Sequence, residues 1–312
     1  MELDQPQSIA LSQNPLVSVI VPNYNHSSFL RERINSILSQ TYKNFEIIIL
    51  DDHSTDDSAS VIESFSGNPY VKQIVYNETN SGSPFIQWQK GFGLAQGSFI
   101  WIAESDDFCE PDLLQTLVSI SNNNPDCVLL FCKSCQVDEK GNKVGEFSMQ
   151  HGIDSFVLPG RQFIRRHLRD HNIIINASSA IFKKEALGSV EKTFMSFKGC
   201  GDWVFWSEIA VQGPVAYCNR YMNYYRVYSN NTTESLKVKG TGVVETYQTV
   251  RLFRDKGYYS VPGFFRKVLS LMMDVRYRKN IPEATQQEIF KRCQIGKIYF
   301  LITSLFHFLG RK

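Results

Sequence analysis

The chain has 312 residues, 43% apolar and 21% charged, with a formal charge of +2. That is ordinary globular composition, with room for one large domain and an appendage or for two domains. The charge is uneven: ten Lys/Arg against three Asp/Glu from Phe264 to Lys312 leave +7 there and −5 on the rest, a basic tail suited to an anionic surface. No run of eighteen apolar residues is present, so no membrane-spanning helix is expected.

The first fifteen residues, "MELDQPQSIALSQNP", read as a flexible polar tail without the basic start and apolar core of a signal peptide. "LVSVIV" (16–21) reads as a buried strand, and "SSFLRERINSILSQ" places apolar residues at helical spacing. "FEIIIL" (45–50) is a second strand and "STDDSASVIESF" a capped helix in which Asp51, Asp56 and Asp57 read as cap and solvent residues. "VKQIVY" (71–76), the helix "SPFIQWQKGFGLA" (83–95), the strand "SFIWIA" (98–103) and the helix "PDLLQTLVSISNN" follow. Such alternation predicts an α/β fold with a mostly parallel sheet covered on both faces.

Past residue 125 the alternation loosens. "CVLLFCKSCQVDEKGNKVGEF" predicts a hairpin, "GRQFIRRHLRDH" a helix, "SSAIFKK" a strand, and "DWVFWSEIAVQG" (202–213) a helix with an acid near its start. "PVAYC" and "MNYYRVY" read as two short strands. The rest is helical: 242–257, 261–279 and 283–309. The seven cysteines are scattered, and Cys132 and Cys135 fall on opposite faces of a strand, so reduced thiols in a cytosolic protein are expected. His167 and His171, at i and i+4, lack an HExxH context and read as a solvated face.

In open α/β sheets ligands sit at the carboxyl ends of strands. Three strand ends here carry polar sets: "PNYN" (22–25), "DDHSTDD" (51–57) and "ESDD" (104–107). Asp accepts from base N–H groups and ribose hydroxyls, Tyr stacks, and crowded carboxylates call for a cation. With no Gly-rich phosphate loop, the pattern points to a nucleoside diphosphate bridged to carboxylate by Mg²⁺ or Mn²⁺.

The set "VSVIVPNYN", "FEIIILDDHSTDDS", "NSG", "KGFGLAQGSFIWIAESDD" and "GDWVFWSEIA" resembles glycosyltransferase family 2, the inverting enzymes of the GT-A fold, over roughly residues 16–230. The resemblance implies a GT-A domain over 16–235, with a nucleotide half to about 125 and an acceptor half beyond it, and a C-terminal helical region over 236–312. It implies a nucleotide-sugar donor, UDP-linked, and direct displacement of the diphosphate by a hydroxyl. Residue by residue, Pro22, Tyr24 and Asn25 match the first nucleotide loop, and Asp52 the acid that reads uracil. Gly82 and Lys90 fall to the donor site. Glu104-Ser105-Asp106 matches the DXD motif with Glu in first place; Asp106 is then the metal ligand, and Glu104 and Asp107 shape the ribose and metal surroundings. Asp202 matches the catalytic base. Three departures stand out: Trp88-Gln89-Lys90 where Arg-Asn is common, Gly201 where Glu is common, and Tyr228 where a metal-touching His can sit, which shifts attention to Arg226 at phosphate.

The resulting expectation is a transferase of bacterial surface-polysaccharide synthesis, acting on a saccharide carried by a polyprenyl diphosphate, peripheral on the inner face of the plasma membrane. A sugar nucleotidyltransferase and a silent nucleotide-sugar-binding scaffold are the alternative classes. The run 290–312, "FKRCQIGKIYFLITSLFHFLGRK", has the composition of a helix lying on anionic lipid. Nucleic acid is not an expected partner, because the aromatics of this run do not alternate with its cations.

Overall fold

The computed structural model describes residues 14–228, 240–277 and 281–293. Its centre is a ten-stranded sheet in the order β3-β2-β1-β4-β9-β6-β10-β5, with β7 on β6 and β8 on β10. The first four are β1 (Val17–Asn23), β2 (Phe45–Asp51), β3 (Val71–Tyr76) and β4 (Phe99–Ile102). They pair in parallel, joined by α1 (Ser27–Leu38), α2 (Ser58–Glu63) and α3 (Pro84–Leu94). Parallel strands covered on both faces need no polar side, hence the near-continuous Val/Ile runs. β5 (Phe108–Cys109) and α4 (Leu113–Asn123) follow.

The parallel character ends at β9 (Ala180–Lys183), which lies antiparallel between β4 and β6 (Leu129–Val137), so the sheet as a whole is mixed. β7 (Lys143–Glu146) closes the expected hairpin on β6. β8 (Phe156–Leu158) pairs with β10 (Val215–Arg226). The two short strands expected at 214–228 are one, β10, bent by irregularities between Cys218 and Asn223. The helix expected over 160–171 is α5 (Gly160–Phe163) running into a π-helical turn, Ile164–Leu168, in which His167 stacks on Phe156 at 4.9 Å instead of lying on a solvated face.

Alternate residues of the central strands feed two cores. Val17, Val19, Ile47 and Trp101 pack with α1 and α4; Ile20, Ile48, Ile100 and Ile102 pack with α3 and α6 (Gly201–Ala210). The second core continues into α7 (Thr241–Asp255), α8 (Val261–Tyr277) and α9 (Glu283–Arg292) through Val244, Phe253, Met272 and Ile289. The C-terminal helices therefore cover the same core as α6. Of the helix expected over 283–309, and of the surface helix expected over 290–312, residues beyond 293 lie outside the described residues. No helix among the described residues is long and apolar enough to cross a membrane.

A buried polar clip sets the turn from α3 into β4. Ser18 Oγ donates to Glu46 at 2.6 Å, and these two groups accept the Gln96 and Gly97 amides. On α3, Gly91 faces β1 so closely that a Cβ would lie 2.5 Å from Ile20 Cγ2, whereas a Cβ on Gly93 meets nothing within 4 Å. Gly93→Ala is expected to stabilise the fold by about 0.5–1 kcal/mol through helix propensity. Gly91→Ala is expected to destabilise it by about 1–3 kcal/mol through overpacking. Urea denaturation of the two variants checks the opposite signs.

Candidate active site

β1 ends inside the sheet. Pro22 is buried and in register with Leu50, part of the strand instead of the loop expected for it. Its missing N–H costs nothing there, because β4 pairs with β1 only through Ile20. The loop beyond is built by side chains. Asn23 Nδ2 donates to Asp51 at 2.8 Å, Ser54 Oγ donates to Asp51 at 2.6 Å, and Asn25 accepts the Thr55 N–H at 2.7 Å. Asn25 and His53 both hold the left-handed conformation, with φ of 56° and 63°. Asp51, expected at the surface, is buried as the hub of this loop. Asp56 accepts the Ser27 and Ser58 amides and so ties the starts of α1 and α2 together. Tyr24 projects from the rim, 44% exposed, with a ring face free to stack.

Asp52 points the other way and is buried. Its carboxylate accepts from Asn77 Nδ2 at 2.6 Å, Gln87 Nε2 at 2.8 Å, and both the amide and hydroxyl of Ser81. The acid thus orders the 77–83 loop, where Gly82 takes φ of 71° and donates to Asn80. Lys90 donates to Asn77, one residue removed from Asp52. Asp52, Gly82 and Lys90 are gathered into one wall.

The four residues after β4 divide by direction. Glu104 is half-buried and accepts the Trp88 indole N–H at 3.0 Å. Burial, then the charges of Asp106 and Asp107, push it up to about 8, against the pull of Trp88 and Arg33. Trp88, noted in sequence as a departure, is therefore the partner of Glu104. Asp107, expected to face the donor, turns into the protein. It accepts from Asn176, from Ser178 Oγ at 2.7 Å and from the Arg226 amide, and burial followed by the Asp106 charge raises its proton affinity. Arg33, wholly buried with its guanidinium 4.8 Å from the Trp101 ring centre, is the cation beneath these acids.

Asp106 is half-buried, as Glu104 is, and is not drawn inward by Asn176 and Ser178 as Asp107 is. Tyr228 donates to its Oδ2 at 3.0 Å. The Tyr228 oxygen then accepts from His26 Nε2 at 3.0 Å, and His26 Nδ1 accepts the Ser105 hydroxyl at 2.7 Å. This chain of bonds selects the Nε2–H tautomer of His26. Ser105 is thereby engaged with His26, a residue with no sequence signal beyond following "PNYN".

Arg226, expected beside a diphosphate, is 1% exposed and committed elsewhere. It donates to the carbonyls of Asp106, Asp138 and Glu139 and to the Glu32 carboxylate, and its guanidinium lies 4.6 Å from the Phe29 ring centre. A guanidinium with those partners braces the back of the Asp106 loop.

Asp202 opens α6. Its Oδ1 accepts the Trp203 amide at 2.7 Å and its Oδ2 accepts Asn172 Nδ2 at 2.8 Å. Burial pushes it up to about 7; those two bonds oppose the shift and the Glu245 charge adds to it. Two links set it beside the acid motif. The segment 172–178 bonds Asp202 through Asn172 and Asp107 through Asn176 and Ser178. Trp88 bonds Glu104 and packs on Phe205 and Trp206 of α6, with ring centres 5.7 and 6.2 Å away. Trp206 is buried in this contact, and Trp203 is buried on the other side, against Phe253 and the Leu168 carbonyl. Asn172, Asn176 and Ser178 carry no motif and were not among the expected site residues.

Among the described residues, no three His, Cys, Asp or Glu side chains gather as a metal cage. What the site offers a cation is the half-buried carboxylate of Asp106. Mg²⁺ and Mn²⁺ are commonly held by one or two carboxylates and completed by substrate phosphates, and Asp106 fits that use.

The comparisons with known proteins bear on the family and the fold. The model for "Glycosyl transferase family 2" matches residues 18–190. An uncharacterized glycosyltransferase of Haemophilus influenzae is 25% identical over 309 residues, covering 95% of this chain and 90% of that protein. The putative teichuronic acid biosynthesis glycosyltransferase TuaG of Bacillus subtilis is 25% identical over 222 residues, 71% of this chain and 82% of its own. Among solved structures, S. aureus TarS 1-349 in complex with UDP-GlcNAc superposes with a TM-score of 0.61 at 19% identity, covering 88% of this chain and 72% of that one. Mannosyltransferase PcManGT from Pyrobaculum calidifontis, in complex with GDP-Man and Mn²⁺, gives 0.58 at 16% identity, covering 96% and 87%. These likenesses establish the GT-A-like fold, and the match over more than half of its length shows that the chain belongs to glycosyl transferase family 2.

Proposed function

We propose that this protein transfers a sugar from a UDP-linked donor, with inversion, to a hydroxyl of a saccharide acceptor in the synthesis of a surface polysaccharide. The observation that carries the proposal is that one segment, 172–178, bonds Asp202 at one end and at the other Asp107, the neighbour of Asp106. One acid stands at the strand-end floor of the nucleotide half, the other at the first turn of α6. Membership of the family, the putative role of TuaG in teichuronic acid biosynthesis and the UDP-GlcNAc complex of TarS support the same reading. An acceptor carried on a polyprenyl diphosphate suits the basic C-terminal region.

The parts divide as follows. Tyr24 stacks on the base, and Asp52 holds the 77–83 wall against which the base edge lies. Asp106, braced by Tyr228 and by Arg226 on its carbonyl, would hold Mg²⁺ or Mn²⁺. When bound, that ion supplies Lewis-acid stabilisation of the leaving diphosphate. Asp202 takes the proton from the acceptor hydroxyl as its oxygen attacks the anomeric carbon. Its raised proton affinity suits that task, because a general base works best with a pKa near the operating pH. The diphosphate leaves without protonation, so one base suffices.

Asp106→Ala is expected to abolish transfer and to remove the Mn²⁺-dependent part of UDP affinity, read by calorimetry with and without the ion. Equal affinity in variant and wild type with Mn²⁺ present would end the metal role.

Asp202→Asn should keep UDP affinity and lose at least about 100-fold in kcat. The base acts deprotonated and is pushed up to about 7, so wild-type kcat should climb with pH below about 7 and level off above it. A flat profile between pH 5 and 8 would place the base elsewhere.

Asp52→Ala should weaken UDP binding by about 1–3 kcal/mol, as its four donors lose their acceptor. Unchanged UDP affinity would remove the 77–83 wall from the nucleotide site.

A further inference from the structure

Glu245 lies in α7, in the C-terminal helical region, yet it is 5% exposed and turned against the loop that leads into α6. Its carboxylate accepts three consecutive amides: Lys198 at 2.7 Å, Gly199 at 2.8 Å and Cys200 at 2.9 Å. Cys200 is the cap residue of α6 and provides no side-chain cap. A carboxylate from another helix therefore meets the amides at that end, where the helix dipole favours negative charge. Thr246 and Gly242, from the same stretch of α7, touch Cys200 Sγ at 3.9 and 4.0 Å. The loop has no slack on its other side: a Cβ on Gly201 would lie 2.4 Å from the Phe194 carbonyl and 2.6 Å from the Phe85 ring.

We propose that Glu245 is a positioning residue for Asp202: it anchors the 198–200 backbone that leads into the first turn of α6, where Asp202 stands, and adds a negative charge to the surroundings of that acid. The inference rests on Asp202 as the base. The groups around Asp202 are Glu245 from α7, Cys200 from the loop and Asn172 from the opposite segment. His171, beside Asn172, faces Lys267 and Asp170 instead, and Glu208 further along α6 faces Lys256. Burial, then the charges of Asp202 and Glu245, push the Cys200 thiol up to about 12, which places the three groups in one field. By this arrangement the C-terminal helices act on the chemistry without touching substrate.

The test is a carbon-13 carboxyl NMR titration of Asp202 in the full chain, its signal assigned by its loss in Asp202→Asn, together with amide hydrogen exchange at 198–200. In Glu245→Gln the Asp202 titration should move down by at least about half a pH unit, because a like charge has gone. Exchange at 198–200 should quicken at least about tenfold. A smaller movement of the titration overturns the inference. Glu245→Asp, which keeps the charge on a shorter arm, covers the case in which the Gln variant does not fold. It should quicken exchange at 198–200 while Asp202 titrates within about half a unit of wild type, and unchanged exchange overturns the anchoring. Neither reading uses a substrate. An unmoved titration ends this inference and leaves the base assigned, whereas turnover by Asp202→Asn ends the base assignment and leaves the titration result standing.

Discussion

A buried carboxylate must be met by donors on every side, and the site is organised around one such demand. Asp107 is drawn inward by Asn176, Ser178 and the Arg226 amide. Asn176 in turn accepts from Asn223, which also bonds Ser134. A single network therefore joins the end of β4 to β6, to β10 and to the loop before β9. Leaving any member unpaired exposes a buried polar group to a cost of about 1–3 kcal/mol. Because Asp107 is held, its neighbour Asp106 is left half-buried at the site, and the same loop carries Asn172 to Asp202. The two halves of the site are set by polar bonds more than by the hydrophobic core they share.

The elements from β1 to α4 were legible because each is local. Alternating strand and helix patterns, a proline just ahead of α4 and turn residues between them all lie within short windows. The acid motif was legible as a group, and the family resemblance singled out Asp106, but the inward turn of Asp107 was not legible. Glu104, Asp106 and Asp107 are chemically alike in sequence, and only the Asn176 and Ser178 bonds decide that Asp107 is the one drawn into the protein. The same holds at the second strand end, where Asp51 and Asp52 point to opposite sides and serve different loops. Arg226 illustrates the converse. The Tyr at 228, where the family can have a metal-touching His, turned attention to Arg226 at phosphate, yet Phe29, Glu32 and the carbonyls at 138–139 come from sequence positions with no visible relation to it.

Asp202 shows how a mobile group can be given a fixed direction. Nine of the ten residues of α6 are buried, so the helix cannot rotate about its axis without expelling core side chains. The acid stands at its first turn, the one place where a buried helix meets solvent. Its surroundings come from three distant stretches, α3, the 172–178 segment and α7, and no short motif could have announced them. "GDWVFW" reads in sequence as an apolar helix with a single acid, and that sparseness is its signal.

The position of β9 has a consequence for synthesis of the chain. β4, "FIWI", pairs with β1 on one side and with β9 on the other. When Ile102 leaves the ribosome, the second edge of this wholly apolar strand has no partner, and none exists until Ala180–Lys183 has been made. At the usual rate of about 5–20 residues per second, that interval lasts roughly 4–16 s. During it the nascent nucleotide half carries an open, flat, hydrophobic edge of the kind that recruits other chains. Temperature and chaperone supply during expression should therefore govern the yield of native protein more than the stability of the finished fold does.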